Sequence, residues 1–332
     1  MRAAVLREFG RPLELADVPM PEPAGDEALV KVVATGICGT DLKITGGAFA
    51  TTPLPIIPGH EVAGELMQDV DGLRKGQRVA LYMYDPCGEC RWCLDDRSSL
   101  CPHSRRIGFE RDGGLAEFVK VRRRNLLPFG DSLTFEAAAV CMDSVMSPWH
   151  AFVDRAALRP GESVVVVGAG GLGQSGIQIA RSIGARVAAI DTVDAHRELA
   201  LDAGAELVVE PAEVDRVRSW ADGGADVAFE ASGTRAGFEL AAGVLRAGGR
   251  VVCCGYKPGV EYGLDSARLV LDEITVLGSR AGSRDNARAA LLAVEEGKVT
   301  PHIMERLDLR DANRALDLLR AGKVLGRVVV TP

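Results

Sequence analysis

The sequence lacks any apolar run close to the roughly 18 residues that a membrane-spanning helix needs. It also lacks the apolar stretch of a signal peptide, because residues 1–6 lead straight into Glu8 and Arg11. A surplus of basic residues is missing as well. The 39 Lys and Arg residues and 46 Asp and Glu residues give a net charge of −7, whereas nucleic acids and anionic membranes select basic surfaces. We therefore expect a cytoplasmic protein with neither nucleic acid nor membrane as a partner.

Internal repeats and low-complexity segments are also missing from the 332 residues. Hydrophobic residues make up 47% of the chain and charged residues 26%, an ordinary globular composition that excludes a disordered chain. The length gives room for about two domains. A chain of this size buries about three quarters of its unfolded surface, so its core does not need disulfide bonds.

Cysteine is unevenly distributed along the chain. Four of the eight cysteines fall within fifteen positions: Cys87, Cys90, Cys93 and Cys101. The cytoplasm disfavours disulfides, which leaves metal binding as the explanation. The spacing C-x2-C-x2-C-x7-C supplies four thiolates, a complete tetrahedron with no position open to a substrate. We therefore predict a structural zinc ion that ties down a lobe at about residues 86–102.

Two alternatives to zinc remain for this cluster. An iron–sulfur cluster also uses four cysteines, but the loop that follows offers no second cluster and no electron partner. Reduced thiols without a ligand have no packing role in a polar loop. Both alternatives are weaker than a structural zinc ion.

Residues 164 to 279 alternate between short β-branched apolar runs and stretches with apolar residues three and four apart. The runs are 164–167, 186–190, 207–209, 226–229, 250–254 and 274–277, and the helical stretches include 172–183, 195–203 and 235–246. This alternation predicts a parallel sheet with helices on both faces, and six strands match a complete Rossmann fold. Two helical patterns, 286–296 and 311–320, and a strand at 326–331 follow.

A glycine-rich turn follows the first of these runs and opens a helix. Its residues are Gly168, Ala169, Gly170, Gly171, Leu172 and Gly173. The G-x-G-x-x-G pattern allows a tight turn, close approach of a pyrophosphate and close helix–strand packing. Asp191, eighteen residues past the last glycine, ends the second run, where a carboxylate binds ribose hydroxyls and repels the 2′-phosphate of NADP. We therefore predict that these residues bind NAD, with NADP less favoured.

The segment before residue 148 has apolar runs that Gly and Pro break repeatedly, as in an irregular β-rich domain with long loops. It contains a dispersed set of polar residues, Cys38, His60 and Glu61. A thiolate, an imidazole and a carboxylate are ligands that a catalytic zinc ion uses, with a fourth position left for water or substrate. Spacing alone does not join them, because a single Cys or His is as often a core or surface residue.

Together these motifs resemble the zinc-dependent medium-chain alcohol dehydrogenases. The resemblance rests on Cys38 with Thr40, on residues 59–61 (GHE), on the four-cysteine lobe, on residues 112–117 (DGGLAE) and on the glycine turn, and it spans nearly the whole chain. It implies an α/β chain with a GroES-like, irregular β-barrel catalytic domain made of residues 1–147 and 279–332. Residues 148–278 would form a Rossmann NAD-binding domain with a doubly wound, six-stranded parallel sheet.

The resemblance also implies the ligands of a catalytic zinc ion. Cys38 and His60 match two of them, and Glu61 matches an adjacent acid that ligates zinc in some states or lies just behind it. The third protein ligand is a cysteine in some members of the family and an acid in others. Cys141 and Asp143 both lie in the matching segment, and their spacing to residues 148–150 favours Asp143. With the four-cysteine lobe, the resemblance implies two zinc ions per chain.

Three further residues take roles from the resemblance. Thr40 matches the hydroxyl residue that accepts the substrate's alcohol proton and passes it towards the nicotinamide ribose. Lys43 replaces the histidine that many members have at the outer end of this relay. Because an ordinary lysine has a pKa of about 10.4, it accepts protons poorly at neutral pH, and water is an alternative route. Arg327 matches a basic residue that can reach the cofactor pyrophosphate, with a surface arginine as the equal alternative.

The implied activity is the reversible oxidation of an alcohol to a ketone or aldehyde, with hydride transfer to NAD. The alternatives are a zinc-independent quinone or enoyl reductase, which lacks these zinc motifs, and a non-catalytic protein that binds zinc and NAD. Phe49, Met142 and Trp149 indicate a partly apolar pocket, which fits a secondary alcohol, an aryl alcohol or a cyclic polyol. The resemblance also implies a homodimer or homotetramer.

Overall fold

A computed structural model describes all 332 residues, which form two compact units. The first unit consists of Met1–Asp143, Ser283–Glu295 and His302–Pro332, and the second of Ser144–Gly282 and Glu296–Pro301. Both ends of the chain therefore lie in the first unit. The domain boundaries expected after residues 147 and 278 lie four residues from the limits of these units, and as domain boundaries they stay a prediction.

The strands are numbered along the chain. They are β1 Arg2–Val5, β2 Glu14–Asp17, β3 Glu27–Ile37, β4 Glu61–Leu66, β5 Arg78–Leu81, β6 Tyr84–Asp85, β7 Arg105–Arg106, β8 Phe118–Arg122, β9 Leu126–Pro128, β10 Ser163–Val167, β11 Arg186–Ile190, β12 Leu207–Val209, β13 Ala225–Glu230, β14 Leu245–Cys253, β15 Thr275–Gly278, β16 Ile303–Asp308 and β17 Arg327–Thr331.

The α-helices are numbered in the same way. They are α1 Gly39–Thr45, α2 Arg91–Leu94, α3 Phe135–Val140, α4 Met146–His150, α5 Gly171–Ile183, α6 Asp194–Asp202, α7 Val214–Trp220, α8 Arg235–Gly243, α9 Ser266–Leu271, α10 Arg284–Glu295 and α11 Ala312–Arg320. Two π-helical turns flank α4, at Cys141–Val145 and Ala151–Arg155. None of the helices combines the length and the hydropathy that crossing a membrane requires.

The second unit contains a six-stranded parallel sheet in the order β12-β11-β10-β13-β14-β15. Counted within the unit, this is the order 3-2-1-4-5-6 of the doubly wound dinucleotide-binding fold. The central strand β10 is Val-rich and buried along its whole length, as expected for a parallel strand covered by helices on both faces. The predicted Rossmann architecture is confirmed.

One predicted helix in this unit is too long. The pattern at 235–246 predicts a continuous helix, but α8 ends at Gly243 and β14 begins at Leu245. Leu245 pairs with Ala225 of β13, so sheet hydrogen bonding takes over where the helical pattern formally continues. Helices α7 and α9 also lie between strands of this sheet, and each is shorter than two turns.

The first unit is built around a larger sheet in the order β16-β17-β3-β4-β5-β9, with β8 also paired to β3. The long strand β3 thus pairs with β4, β8 and β17. Apolar side chains of β3 enter two cores, one around Val30 and Val62 and the other around Ile37 and Val328. Because Val328 of β17 pairs directly with Ile37, the C-terminal strand lies against the end of β3, next to Cys38.

Candidate zinc centre and dinucleotide site

Two paired strands bring Cys38 and His60 together. Strand β3 ends at Ile37, after which Cys38 caps helix α1, and β4 begins at Glu61, directly after His60. The strands are antiparallel with Gly36 opposite Glu61, so the residue that follows β3 and the residue that precedes β4 lie at the same end of the sheet. The sulfur of Cys38 lies 3.3 Å from Nε2 of His60.

Asp143 joins this pair. Its Oδ2 lies 3.9 Å from Nε2 of His60. One ligand atom each from Cys38, His60, Glu61 and Asp143 lies within 4.8 Å of all the others, and only Asp143 is more than marginally exposed. Asp143 lies on the π-helical turn that follows α3, a feature frequent at functional sites. The structure therefore brings together the four side chains that the sequence proposes as catalytic-zinc ligands.

Cys141, the alternative to Asp143, lies outside this cluster. Its thiol is fully buried and donates a hydrogen bond to the carbonyl oxygen of Ala290, with a sulfur–oxygen distance of 3.7 Å. Burial raises the pKa of Cys141 well above that of an ordinary thiol, so the side chain is a protonated core residue. The geometry favours Asp143 as the third ligand.

A further carboxylate, that of Asp41, holds the His60 ring in place. Its Oδ1 lies 3.3 Å from Nδ1 of His60, and its Oδ2 accepts a hydrogen bond of 2.9 Å from the backbone N–H of Cys38. Because Nδ1 faces Asp41, Nε2 is left to face Cys38 and Asp143, as in metal-binding histidines oriented by a second carboxylate. The sequence alone assigns Asp41 no role. The sequence signal that could have identified Asp41 is its place as the third residue of α1, where it forms a capping box with Cys38.

Glu61 makes an ion pair with Arg327 of the C-terminal strand. The Nε of Arg327 donates to Oε1 of Glu61 at 2.9 Å, and its Nη2 lies 3.6 Å from Oδ2 of Asp143. Gly36 leaves space for the carboxylate, since a Cβ there would lie 2.1 Å from Oε2 of Glu61. Arg327 is only 6% exposed, which rules out a surface arginine. Its contact with the cofactor pyrophosphate stays a prediction.

Glycines fix the backbone just before His60. Gly59 has a φ of +98°, in the left-handed region, and a Cβ there would lie 2.8 Å from Cγ2 of Thr35 and 2.9 Å from the backbone N of Leu115. The carbonyl of Gly59 accepts a hydrogen bond of 2.9 Å from the N–H of Gly114. The glycine pair of the 112–117 segment therefore positions the residue next to a candidate ligand.

Burial and neighbouring charges set the protonation of the cluster. Burial raises the pKa of Cys38, and it raises the pKa of Glu61 to about 7 in spite of the guanidinium of Arg327. Burial by itself would lower the pKa of His60, but the charges of Asp41 and Cys38 raise it. A divalent cation would instead favour a thiolate, a carboxylate and a neutral imidazole. A sulfur, a nitrogen and carboxylate oxygens in one buried cluster fit zinc.

Thr40 lies in the first turn of α1 and Lys43 in its last turn. The backbone N–H of Thr40 donates to the sulfur of Cys38 at 3.3 Å. Both side chains are half-buried, and Lys43 follows Thr40 by three residues, on the same side of the helix. Their proton-relay role stays a prediction.

The four clustered cysteines also converge. The sulfur of Cys87 lies 3.8 Å from that of Cys93 and 3.6 Å from that of Cys101, and Cys90 and Cys93 are 3.5 Å apart. Backbone N–H groups lower the pKa of Cys87 to about 6, whereas burial raises the pKa of Cys93 to about 12. Four sulfurs this close cannot all ionise without a cation among them. Four sulfur donors with no fifth side chain fit a closed, structural zinc site.

The glycine turn of the second unit joins β10 to α5. Gly168 has a φ of +91°, and a Cβ at Gly173 would lie 2.0 Å from the carbonyl oxygen of Gly168, so both positions require glycine. Around Gly170 nothing lies within 4 Å of an added Cβ. Gly171 and Leu172 begin α5, whose first N–H groups face this open space. The turn therefore fits the pyrophosphate of a dinucleotide.

Asp191 follows β11 and contacts the same turn. Its Oδ2 accepts a hydrogen bond of 2.6 Å from the N–H of Ala169, and its Oδ1 accepts one of 2.9 Å from the N–H of Val193. Burial opposes ionisation, but these bonds and the His196 ring hold the pKa of Asp191 below its ordinary value. The carboxylate is therefore charged. Oδ2 has a second lone pair that can accept a ribose hydroxyl, whereas Oδ1 also lies 3.3 Å from Nδ1 of His196.

Two protein families match separate parts of the chain. The "Alcohol dehydrogenase GroES-like domain" matches residues 24–131, and the "Zinc-binding dehydrogenase" family matches residues 171–296. The first match covers the strands that present Cys38 and His60. The second covers most of the parallel sheet.

Named relatives match over nearly the whole chain. An alcohol dehydrogenase of Geobacillus stearothermophilus is 34% identical, over 99% of this chain and 98% of the relative. An NAD-dependent alcohol dehydrogenase of Sulfurisphaera tokodaii is 32% identical, over 100% of both chains. A crystal structure of a Sinorhizobium meliloti protein bound to NADP is 30% identical with a TM-score of 0.91, over 100% of this chain and 99% of the other.

Proposed function

This chain belongs to the zinc-containing medium-chain alcohol dehydrogenases, and from that premise we propose that it transfers a hydride reversibly from an alcohol to NAD, giving a ketone or aldehyde. A secondary alcohol, an aryl alcohol or a cyclic polyol would be the substrate. The observation that carries the proposal is the convergence of Cys38, His60, Glu61 and Asp143 within 4.8 Å. An assay over a panel of alcohols, which follows NADH absorbance, tests it. No turnover of any alcohol by zinc-loaded protein would favour a non-catalytic zinc- and NAD-binding role.

In this proposal Cys38, His60 and Asp143 hold the catalytic zinc, and Glu61 is an alternate ligand. Zinc in this position would act as a Lewis acid that lowers the pKa of an alcohol hydroxyl. Asp41 would keep Nε2 of His60 turned towards the other ligands. The ion pair with Arg327 would keep the Glu61 carboxylate away from the zinc ion. Thr40 would take the substrate proton at its hydroxyl and pass it outwards, through Lys43 or water.

The second proposed zinc ion, held by the four-cysteine lobe, would be structural. The glycine turn and Asp191 would bind NAD, which supplies the hydride acceptor. We also propose a cytoplasmic location, which fits eight cysteines that form no disulfide bond.

We propose a homodimer or homotetramer as the assembly. Val270 and Leu271 of α9 are 68% and 79% exposed, and Val276 of β15 is 46% exposed. Strand β15 is an edge of the six-stranded sheet. Exposed apolar side chains beside an open strand edge are a surface that a second copy would cover.

The cofactor preference depends on Asp191. We expect a higher kcat/KM with NAD than with NADP, because the ionised carboxylate repels a 2′-phosphate. The Asp191→Asn variant removes the charge but keeps an oxygen that accepts from Ala169. We expect its NAD-to-NADP ratio of kcat/KM to fall at least about tenfold. A wild-type ratio below one would contradict the role given to Asp191.

The third zinc ligand can be tested by metal analysis. We expect Asp143→Ala to lose close to one zinc ion per chain and Cys141→Ala to keep both, because the Asp143 carboxylate faces Nε2 of His60 whereas the Cys141 thiol bonds to Ala290. Thermal denaturation of each variant controls for misfolding. Loss of zinc from Cys141→Ala alone would reverse the assignment.

A further inference from the structure

A partly buried ion pair lies near the candidate zinc centre, from which Phe109 separates it, and belongs to neither predicted site. The guanidinium of Arg106 and the carboxylate of Glu110 are joined by two contacts, of 3.1 Å and 2.5 Å, and each side chain is only 12% exposed. The backbone N–H of Arg106 and the hydroxyl of Thr51 also donate to Glu110, at 2.8 Å and 2.7 Å. Burial by itself would raise the pKa of Glu110, but hydrogen bonds from Arg106 and Thr51 hold it below its ordinary value. Both partners are therefore charged and fixed.

This pair holds two aromatic rings. The guanidinium carbon of Arg106 lies 4.0 Å from the ring centre of Phe109 and 5.1 Å from that of Phe49. The two rings meet edge to face, 5.2 Å apart with 68° between their planes. A planar guanidinium stacks on aromatic faces without giving up its hydrogen bonds to a carboxylate. Arg106 therefore orients both rings.

The second neighbour of Phe109 is His60. Their ring centres lie 5.3 Å apart with 62° between the planes. Since Nδ1 of His60 faces Asp41 and Nε2 faces Cys38, Phe109 covers a remaining side of the imidazole. Phe109 is 3% exposed, whereas Phe49 is half-buried and keeps apolar surface open. An aromatic surface thus begins directly at a candidate zinc ligand.

Pairing of two short strands fixes the position of the Arg106 main chain. Strand β7 pairs with β6, with Arg106 opposite Tyr84, and the N–H of Ile107 donates to the carbonyl of Met83 at 2.9 Å. Ion pairs largely withdrawn from water contribute little net stability, because desolvation offsets the attraction. The directional hydrogen bonds of such a pair still fix the positions of its side chains. We therefore infer that the Arg106–Glu110 pair positions its neighbours rather than stabilises the fold.

We propose that the Arg106–Glu110 pair is a clamp that positions Phe109 and Phe49 as an aromatic wall beside His60, and that this wall makes the enzyme prefer alcohols with an aryl group over small aliphatic alcohols and polyols. The inference rests on the proposed function and narrows its substrate class. Arg106 and Glu110 are positioning residues, because they act through the two rings.

The test uses zinc-loaded protein and three variants. Arg106→Met removes the clamp, and Glu110→Gln weakens it while keeping the side-chain shape. Arg105→Met removes the same charge from the neighbouring strand position, where the side chain reaches only the carbonyl of Glu110, at 3.5 Å. We expect Arg106→Met to lower kcat/KM for benzyl alcohol about tenfold, mainly through KM, and that for ethanol less than about twofold. Glu110→Gln should shift this ratio in the same direction and Arg105→Met should not.

Calorimetric titration with benzyl alcohol adds a readout independent of turnover. We expect weaker aryl binding in Arg106→Met than in the wild type, at unchanged zinc content. An unchanged benzyl-to-ethanol ratio in Arg106→Met and Glu110→Gln, with zinc and melting temperature intact, would overturn the clamp. If Arg106→Met does not fold, the ratio in Glu110→Gln decides alone. A further outcome is benzyl alcohol binding that depends on Arg106 in a protein that turns over no alcohol. That result would support the aromatic wall but refute the proposed function.

Discussion

The His60→Ala variant is expected to lose alcohol oxidation by on the order of 10³- to 10⁴-fold and to lose about one zinc ion per chain. His60 is the nitrogen donor of the cluster, and its Nε2 faces both Cys38 and Asp143. Its removal also leaves Oδ1 of the buried Asp41 carboxylate without its imidazole partner. Steady-state assays with elemental analysis of the same preparation measure both effects.

The matched control is His150→Ala. His150 lies outside the cluster, where it pairs with Asp154 at 2.8 Å. We expect this variant to keep both zinc ions and activity within a few-fold of the wild type. Asp41→Asn should fall between the two, with a loss of about 10- to 100-fold, because it keeps every candidate ligand and disturbs the orientation of the imidazole. Wild-type zinc content and turnover in His60→Ala would contradict the assignment of the catalytic centre.

Replacing Cys101 with serine should open the four-cysteine lobe. Helix α2, which carries Cys93, has no fully buried side chain, and Leu94 at its end is 73% exposed. Packing therefore contributes little, and a metal ion has to hold this segment. We expect Cys101→Ser to lose one zinc ion per chain and to be cleaved by protease within residues 87–101 at least about 100-fold faster.

The control for this variant is Cys254→Ser, a cysteine outside both clusters. It should keep both zinc ions and the wild-type cleavage pattern. Limited proteolysis with mass spectrometry locates the cuts. Equal resistance of Cys101→Ser and the wild type, with two zinc ions in each, would rule out a structural metal in the lobe.

The sequence predicts those parts of the molecule that depend on local patterns. The parallel sheet follows from alternating apolar runs, and the glycine turn and the four cysteines are each contained in one short segment. The end of α8 is different, because the pairing of Leu245 with β13 decides it. Pairing between distant strands leaves little trace in helical periodicity.

The residues of the candidate zinc centre divide in the same way, into those that the sequence predicts and those that only the fold brings together. Cys38 and His60 take their ligand role from the resemblance, and the structure brings them together. The contact of Glu61 with Arg327 spans 266 positions, and only the pairing of β17 with β3 creates it. Asp41 lies near Cys38 in sequence, but its role depends on where the His60 ring points. Contacts of this kind can be identified only when the fold is known.

Stepwise removal of zinc is the most direct test of the central claim that Cys38, His60 and Asp143 hold the metal on which alcohol oxidation depends. Turnover and zinc content are followed together during dialysis against a chelator, and then after zinc is added back. We predict that activity disappears with the loss of one zinc ion per chain and returns with it. Undiminished alcohol oxidation by protein shown to be metal-free would contradict the account.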